Sequence, residues 1–316
     1  MRILANDGIA QEGVEALKAN GFEVLTVNVA QEQLISYINT RNIEVLLVRS
    51  ATQVQKDIID ECPNLKLIGR GGVGLDNIDV AYAEKKGIHV INTPEASSAS
   101  VAELVFAHLY GGVRYLYDSN RNMPLDGDSK FKELKKSYAK GSELKGKTLG
   151  IIGFGKIGQA TAKIALGVGM KVIYHDTEVE KMTVSIPFFD GQEVSFNLSN
   201  TPKEELLKTS DFITIHTPKQ TAYVIGKSEF NSMKDGVGII NTSRGGALDE
   251  VALVDALKQR KVSFAGLDVF ESEPKPEIPI LMHPDISLTP HIGGATQEAQ
   301  SRIGLELASK ITNLLK

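Results

Sequence analysis

The run Thr148-Leu-Gly-Ile-Ile-Gly153-Phe-Gly155-Lys-Ile-Gly158 constrains this chain more than any other, because it joins an apolar strand to a glycine turn and then to a helix start. Gly153 suits a tight turn, Gly155 lets the backbone approach a diphosphate, and Gly158 lets helix and strand lie close. The diphosphate would rest on the helix N-terminus, where N–H groups and the helix dipole favour anions. Glycine turns between strands and helices are common, so the flanks decide the reading. Residues 159–166 are helix-forming, 170–175 read as a second strand, and that strand ends in Asp176, 23 residues beyond Gly153. A carboxylate about 20 residues on is what the adenosine ribose requires. It repels a 2′-phosphate, and no Arg follows within Thr177-Glu-Val-Glu180, so NAD is favoured over NADP. The competing reading makes Asp176 an ordinary strand-end turn residue.

A domain's length of chain precedes this motif, and 316 residues suit about two domains. Short apolar segments at 3–5, 23–27, 44–48, 66–68 and 88–91 alternate with helical patterns at 13–20 and 31–40. That alternation predicts a doubly wound parallel sheet. Ser100-Val-Ala-Glu103 has the form of a capping box and predicts a helix running to Leu116, a crossing between domains. From 148 the α/β alternation restarts, with strands expected at 211–216, 237–241, 263–267 and 286–288. A last helix over 296–315, with no strand after it, would return to the first domain. The lysine-rich stretch 123–147 predicts a solvated excursion or an oligomer contact. Residues 181–200, carrying Phe188, Phe189 and Phe196, read as an inserted hairpin.

A net charge of −4 argues against nucleic acid or an anionic membrane as a general partner. No apolar stretch is long enough to span a bilayer, and Met1-Arg-Ile-Leu leads straight into a strand rather than a signal peptide, so a cytoplasmic protein is expected. The single cysteine, Cys62, cannot form an internal disulfide and reads as packing or surface chance rather than chemistry. No metal is called for.

Three later segments could carry chemistry: Asn241-Thr-Ser-Arg244-Gly-Gly, Asp268-Val-Phe-Glu-Ser-Glu273-Pro and Leu288-Thr-Pro-His291-Ile-Gly-Gly. Each follows a predicted strand, and residues past the C-terminal strand ends of a parallel sheet face the ligand crevice. Singly, Arg244 reads as a surface ion pair, Glu273 as a solvated loop residue and His291 as structural. Together beside a nicotinamide site they supply a carboxylate anchor, an orienting group and a proton carrier for hydride transfer at a hydroxyl carbon.

At these residues the chain resembles the D-2-hydroxyacid dehydrogenase family, and within it the members that act on 3-phospho-D-glycerate. The likeness covers nearly the whole chain: Val48-Arg-Ser-Ala-Thr52, Gly69-Arg-Gly-Gly-Val-Gly-Leu-Asp-Asn77, Asn92-Thr-Pro94, Ala102-Glu-Leu104, the glycine run, the three segments above and the stretch Pro290 to Arg302. The resemblance implies a flavodoxin-like substrate domain (1–98 with 291–316) and a Rossmann-type dinucleotide domain (99–290). Arg244 would hold the substrate carboxylate and polarise the 2-oxo group, as its planar fork of donors suits. His291 would take the hydroxyl proton, and Glu273 would bond its other ring nitrogen. Oxidation would then speed up with rising pH, since the base must be neutral. Gly153, Gly155, Lys156, Ile157, Gly158, Asp176, His216, Thr217, Pro218, Thr242, Ser243, Asp268, His291, Gly293 and Gly294 would surround NAD, with Asp268 at the nicotinamide amide. The substrate would meet Arg49, Ser50, Arg70, Gly72, Val73, Arg244 and His291, with Arg49 and Arg70 reading a phosphate; the alternative pairs these arginines with Asp76, Asp57 or Glu61. His89, His108, His175 and His283 have no family role and read as structural.

Two departures stand out: Val73 lies where many relatives carry a hydroxyl, and the 181–200 insert is longer than usual. The resemblance implies a homodimer built by the 100–116 helix and the excursion after it. It also implies the first step of serine biosynthesis; many such relatives continue into a serine-binding regulatory domain, for which no room is expected after the helix ending at Leu315, so serine is expected to leave activity unchanged. A glyoxylate or hydroxypyruvate reductase is the alternative within the family, and an NAD(H)-sensing binding protein of corepressor type the alternative outside it.

Overall fold

Val45–Val48, Phe212–Ile215 and Val237–Asn241 bury every residue, the pattern of strands covered on both faces. A computed structural model describes residues 1–316, which form two units: Met1–Ser100 with Gly294–Lys316, and Val101–Gly293.

The first unit holds β1 (Arg2–Ala5), β2 (Glu23–Leu25), β3 (Val45–Val48), β4 (Leu67–Arg70) and β5 (His89–Asn92), all parallel, in the order β2-β1-β3-β4-β5. This is the flavodoxin-like order. Because successive strand residues point to opposite faces, Leu4, Leu46 and Ile68 pack with Leu34, Ile38 and Ile58 on one side of the sheet. Ile3, Val45, Leu47 and Leu67 pack with Leu17, Leu307 and Ile311 on the other. Leu307 and Ile311 belong to the C-terminal helix Gln297–Leu315, whose cap is Thr296, its hydroxyl accepting from the Ala299 N–H at 3.2 Å.

The second unit holds β6 (Thr148–Ile152), β7 (Lys171–His175), β8 (Lys181–Pro187), β9 (Glu193–Ser199), β10 (Phe212–Ile215), β11 (Val237–Asn241), β12 (Val262–Leu267) and β13 (Ile286–Leu288). Its parallel sheet runs β13-β12-β11-β10-β6-β7. The chain goes outward from β6 to β7 on one side and from β10 to β13 on the other. The topological switch point therefore lies between β6 and β10, where α/β sheets bind ligands beyond the strand C-termini. After β7, where a dinucleotide fold has a third parallel strand, the antiparallel hairpin β8–β9 stands instead, tied to β7 by a bridge between Tyr174 and Asn200. Its Val184 is buried in the core, whereas Phe188 and Phe189 are exposed at its tip.

Two expectations need correction. The capping box does not form: the helix is Ser98–Val113, starting two residues before Ser100, whose hydroxyl instead meets the Thr296 hydroxyl at 2.7 Å. The helix also stops at Val113, before Leu116. Tyr115, at φ +55°, turns the chain into a second helix, Leu116–Asp126, and Phe131–Ser137 follows, so the lysine-rich excursion is largely helical. No helix is long and apolar enough to cross a membrane.

Candidate active site

β6 ends at Ile152, and the chain turns at Gly153 with φ +92°. A Cβ there would lie 2.6 Å from the His216 carbonyl oxygen at the end of β10, so only glycine fits between the two switch-point strands. A Cβ on Gly158 would overlap the Gly153 carbonyl, which is why the helix Lys156–Val168 can start so close to the strand. Gly155 is its N-cap, with no capping side chain, and the space a Cβ of Gly155 would enter is open to 4 Å. This cradle fits a diphosphate: a helix N-terminus with room for an anion against the backbone.

Asp176 follows β7, and its carboxylate accepts from the backbone N–H groups of Phe154 (2.5 Å), Glu178 (2.8 Å) and Val179 (3.0 Å). Burial pushes its pKa up, but these bonds outweigh it and hold the carboxyl below its ordinary value. Three of about four acceptor positions are used, leaving Oδ2 able to take a ribose hydroxyl. The Asp176 geometry and the Gly155 cradle thus fit NAD. His216 Nδ1, the Thr217 hydroxyl and the Thr242 hydroxyl, at the ends of β10 and β11, are buried without protein partners. Burial drives the His216 pKa down to about 3, so its ring is neutral.

Beyond β11, the Asn241 amide donates to the Arg244 carbonyl at 2.9 Å while its oxygen accepts from Ser243 N–H and hydroxyl, fixing the turn that carries Arg244. The Arg244 guanidinium is half-buried, with Nη1 donating to the Ser243 carbonyl at 2.7 Å. Beyond β12, the Phe270 N–H donates to Glu273 Oε1 at 3.0 Å. Glu273 Oε2 then lies 2.9 Å from His291 Nδ1. An ionised carboxylate only accepts, so Nδ1 carries a proton and Nε2 is left to exchange one. Such a pair can orient the imidazole and leave one ring nitrogen to exchange a proton.

His291 itself has φ +54°. Asp268, 1% exposed, accepts from the Thr289 hydroxyl (2.7 Å), Ile292 N–H (2.8 Å) and Gly293 N–H (2.8 Å). Its visible work is therefore within the His291 turn. Sequence reading missed Thr289 and gave His108 no role, yet His108 lies between the hydroxyls of Ser287 (2.9 Å) and Thr289 (3.1 Å). Glu250 was also missed. Its Oε1 accepts from Glu271 N–H, and Glu271 Oε1 accepts from Glu250 N–H, clasping the loop before Glu273 to the helix after the Arg244 turn. Burial raises the Glu250 pKa, with the charges of Glu271, Glu277 and Glu273 adding to it.

Pro218 is exposed, Lys156 and Ile157 open the helix after the glycine turn, and Gly294 belongs to the first unit. In that unit Arg49 follows β3, Arg70 ends β4, and the strand register sets Val48 opposite Arg70, so the two arginines are neighbours at one sheet end. Asp7, unmarked in the sequence reading, holds the Arg49 N–H at 2.6 Å. Ser50 and Val73 are exposed, and Gly72, at φ +148°, precedes Val73.

Residues 106–293 match the family described as D-isomer specific 2-hydroxyacid dehydrogenase, NAD binding domain. A hydroxypyruvate reductase of Thermotoga maritima is 41% identical, over 98% of this chain and 97% of its own length. A D-3-phosphoglycerate dehydrogenase of Methanocaldococcus jannaschii is 38% identical over the whole of this chain, which spans only 58% of that relative. The crystal structure of a glyoxylate reductase from Paecilomyes thermophila is 30% identical, with a TM-score of 0.81 over 98% of this chain and 93% of its own.

Proposed function

The chain belongs to the D-isomer specific 2-hydroxyacid dehydrogenases and is NAD-dependent, and on that premise we propose that it oxidises 3-phospho-D-glycerate to 3-phosphohydroxypyruvate and runs the reverse reduction. The observation that carries the chemistry is the Glu273–His291 bond, which leaves Nε2 to exchange the proton of the substrate hydroxyl. Arg244 binds the C1 carboxylate through paired donors and draws charge from the C2 oxygen. In oxidation the C2–H bond breaks as His291 Nε2 takes the hydroxyl proton, and Glu273 stabilises the imidazolium that results. NAD held at this site would supply the hydride acceptor for C2 in oxidation, and NADH the donor in the reverse direction. Asp176 and the Gly155 cradle hold the adenosine end, with Gly153, Gly158, His216, Thr217 and Thr242 shaping the wall.

The phosphate preference is supported by Arg49, just past β3, and Arg70, at the end of β4, which stand at the same end of the sheet. A second reading, reduction of hydroxypyruvate or glyoxylate, is favoured by the end-to-end match to the Thermotoga maritima reductase. NADH oxidation with 3-phosphohydroxypyruvate, hydroxypyruvate, glyoxylate and 2-oxoglutarate at equal concentration separates them. The proposal expects the highest kcat/KM on the phosphorylated acid and a selective KM rise there in Arg49→Ala and Arg70→Ala. Equal or better rates on the unphosphorylated acids, unmoved by those substitutions, transfer the protein to the reductase reading.

A further inference from the structure

His291 stands in a left-handed conformation that L side chains rarely adopt, so its neighbours must hold it there. One carboxylate does so from both sides. Asp268 Oδ1 takes the Thr289 hydroxyl, two residues before His291, and the Ile292 N–H, one residue after it; Oδ2 takes the Gly293 N–H. Thr289 has one hydroxyl proton, and with that proton spent on Asp268 its oxygen can only accept in its second contact. The donor in that contact is His108 Nε2, 3.1 Å away on the helix Ser98–Val113. For Nε2 to carry the proton, Nδ1 must accept, and the Ser287 hydroxyl supplies it at 2.9 Å. Burial holds the His108 pKa below its ordinary value, against the pull of the Asp268 charge. The directions are thus consistent along the whole chain of bonds: Ser287 to His108, His108 to Thr289, Thr289 to Asp268.

We propose that His108 and Thr289 are positioning residues for His291: acting through Asp268, this relay fixes the turn that presents the imidazole to Glu273 and the substrate. The proposal rests on the reading of His291 as the proton carrier. It differs from a plain packing role, because what counts is donor direction and not volume. A hydroxyl at 289 and an N–H donor at 108 should suffice, whatever the rest of the side chain.

The test compares Thr289→Val with Thr289→Ser and His108→Leu with His108→Gln, the second of each pair keeping the polar group. Thr289→Val and His108→Leu should lower kcat about 10- to 100-fold, the scale of a catalytic group displaced by up to an ångström. KM for the 2-oxo acid should stay within about 3-fold, and Thr289→Ser and His108→Gln should recover most of the loss, as directional control predicts. Turnover near that of the unsubstituted protein in Thr289→Val and His108→Leu overturns the proposal, as does a loss that the conservative variants do not repair. Should either removal variant fail to fold, Ser287→Ala carries the same prediction with a smaller fall. If the unsubstituted protein turns over no 2-oxo acid, the reading of the site has failed, and histidine ring NMR of the free protein still decides the relay. His291 ring signals that shift in Thr289→Val and return in Thr289→Ser support it, and unchanged signals overturn it.

Discussion

Gly245→Ala isolates the close approach that sets Arg244 beside the Glu273 loop. A Cβ at Gly245 would overlap the carbonyl carbon and oxygen of Phe270 and stand 2.5 Å from Glu271 N, where real contacts essentially never fall below 3.0 Å. All three are backbone atoms, so no side chain can swing aside. The two loops must part by at least half an ångström at Glu271, and by more at Phe270. Overpacking of this kind costs about 1–3 kcal/mol, and the rigid obstacle argues for the upper end. For a unit of roughly 190 residues, about 3 kcal/mol lowers Tm by about 6–12 °C. The same displacement carries Arg244 away from Glu273 and His291, so kcat/KM should fall at least about 10-fold. Gly246→Ala is the internal control, because nothing lies within 4 Å of its added Cβ. Differential scanning fluorimetry of both variants, with steady-state NADH oxidation, gives the answer. If Gly245→Ala melts and turns over like Gly246→Ala, the loops slide freely and their contact does not set the site.

Asp176→Ala should weaken NADH binding roughly 10- to 150-fold, the value of a hydrogen bond to a charged group at about 1.5–3 kcal/mol; an unchanged Kd by fluorescence would place the ribose elsewhere. His216 stays neutral in the fold down to about pH 3, whereas the unfolded chain protonates it below about 6.5. Folding stability should therefore fall as pH drops from 6.5, by up to about 2 kcal/mol at pH 5 from this residue. His216→Asn should lose less between pH 7 and pH 5 in urea unfolding, and an equal loss would refute the assignment. Glu273→Gln should cut turnover by about 10- to 100-fold with NADH binding kept, since the His291 imidazolium loses its anionic partner. Hydroxy-acid oxidation should quicken and 2-oxo-acid reduction slow as pH rises, because one needs His291 neutral and the other needs it charged; slopes of the same sign would rule out His291 as the carrier.

The parallel sheets were legible because Val-Leu-Leu-Val and its equivalents alternate with helical segments, and local pattern is enough for that. The Gly153 turn was legible for the same reason: its demand falls on three glycines within six residues. The Ser100 capping box misled because the local rule assumes a free hydroxyl, whereas Ser100 is taken by Thr296, 196 residues away. The His108 relay was illegible on the same grounds. His108 meets Ser287 and Thr289 across 179 and 181 residues, and nothing in the sequence around a helical histidine marks such partners. The left-handed backbone of His291 was hidden too, since β-turn signals point to glycine or asparagine and the conformation is imposed here by Asp268. Signals confined to one segment could be read, and those that depend on partners far along the chain could not.

The most direct test of the account is His291→Ala, followed in parallel by NADH binding through fluorescence and by NADH oxidation with the preferred 2-oxo acid. The account predicts turnover reduced by about 100-fold or more, with NADH affinity close to that of the unsubstituted protein. Turnover that survives the substitution would contradict it, because the Glu273–His291 pair would then not be the proton carrier.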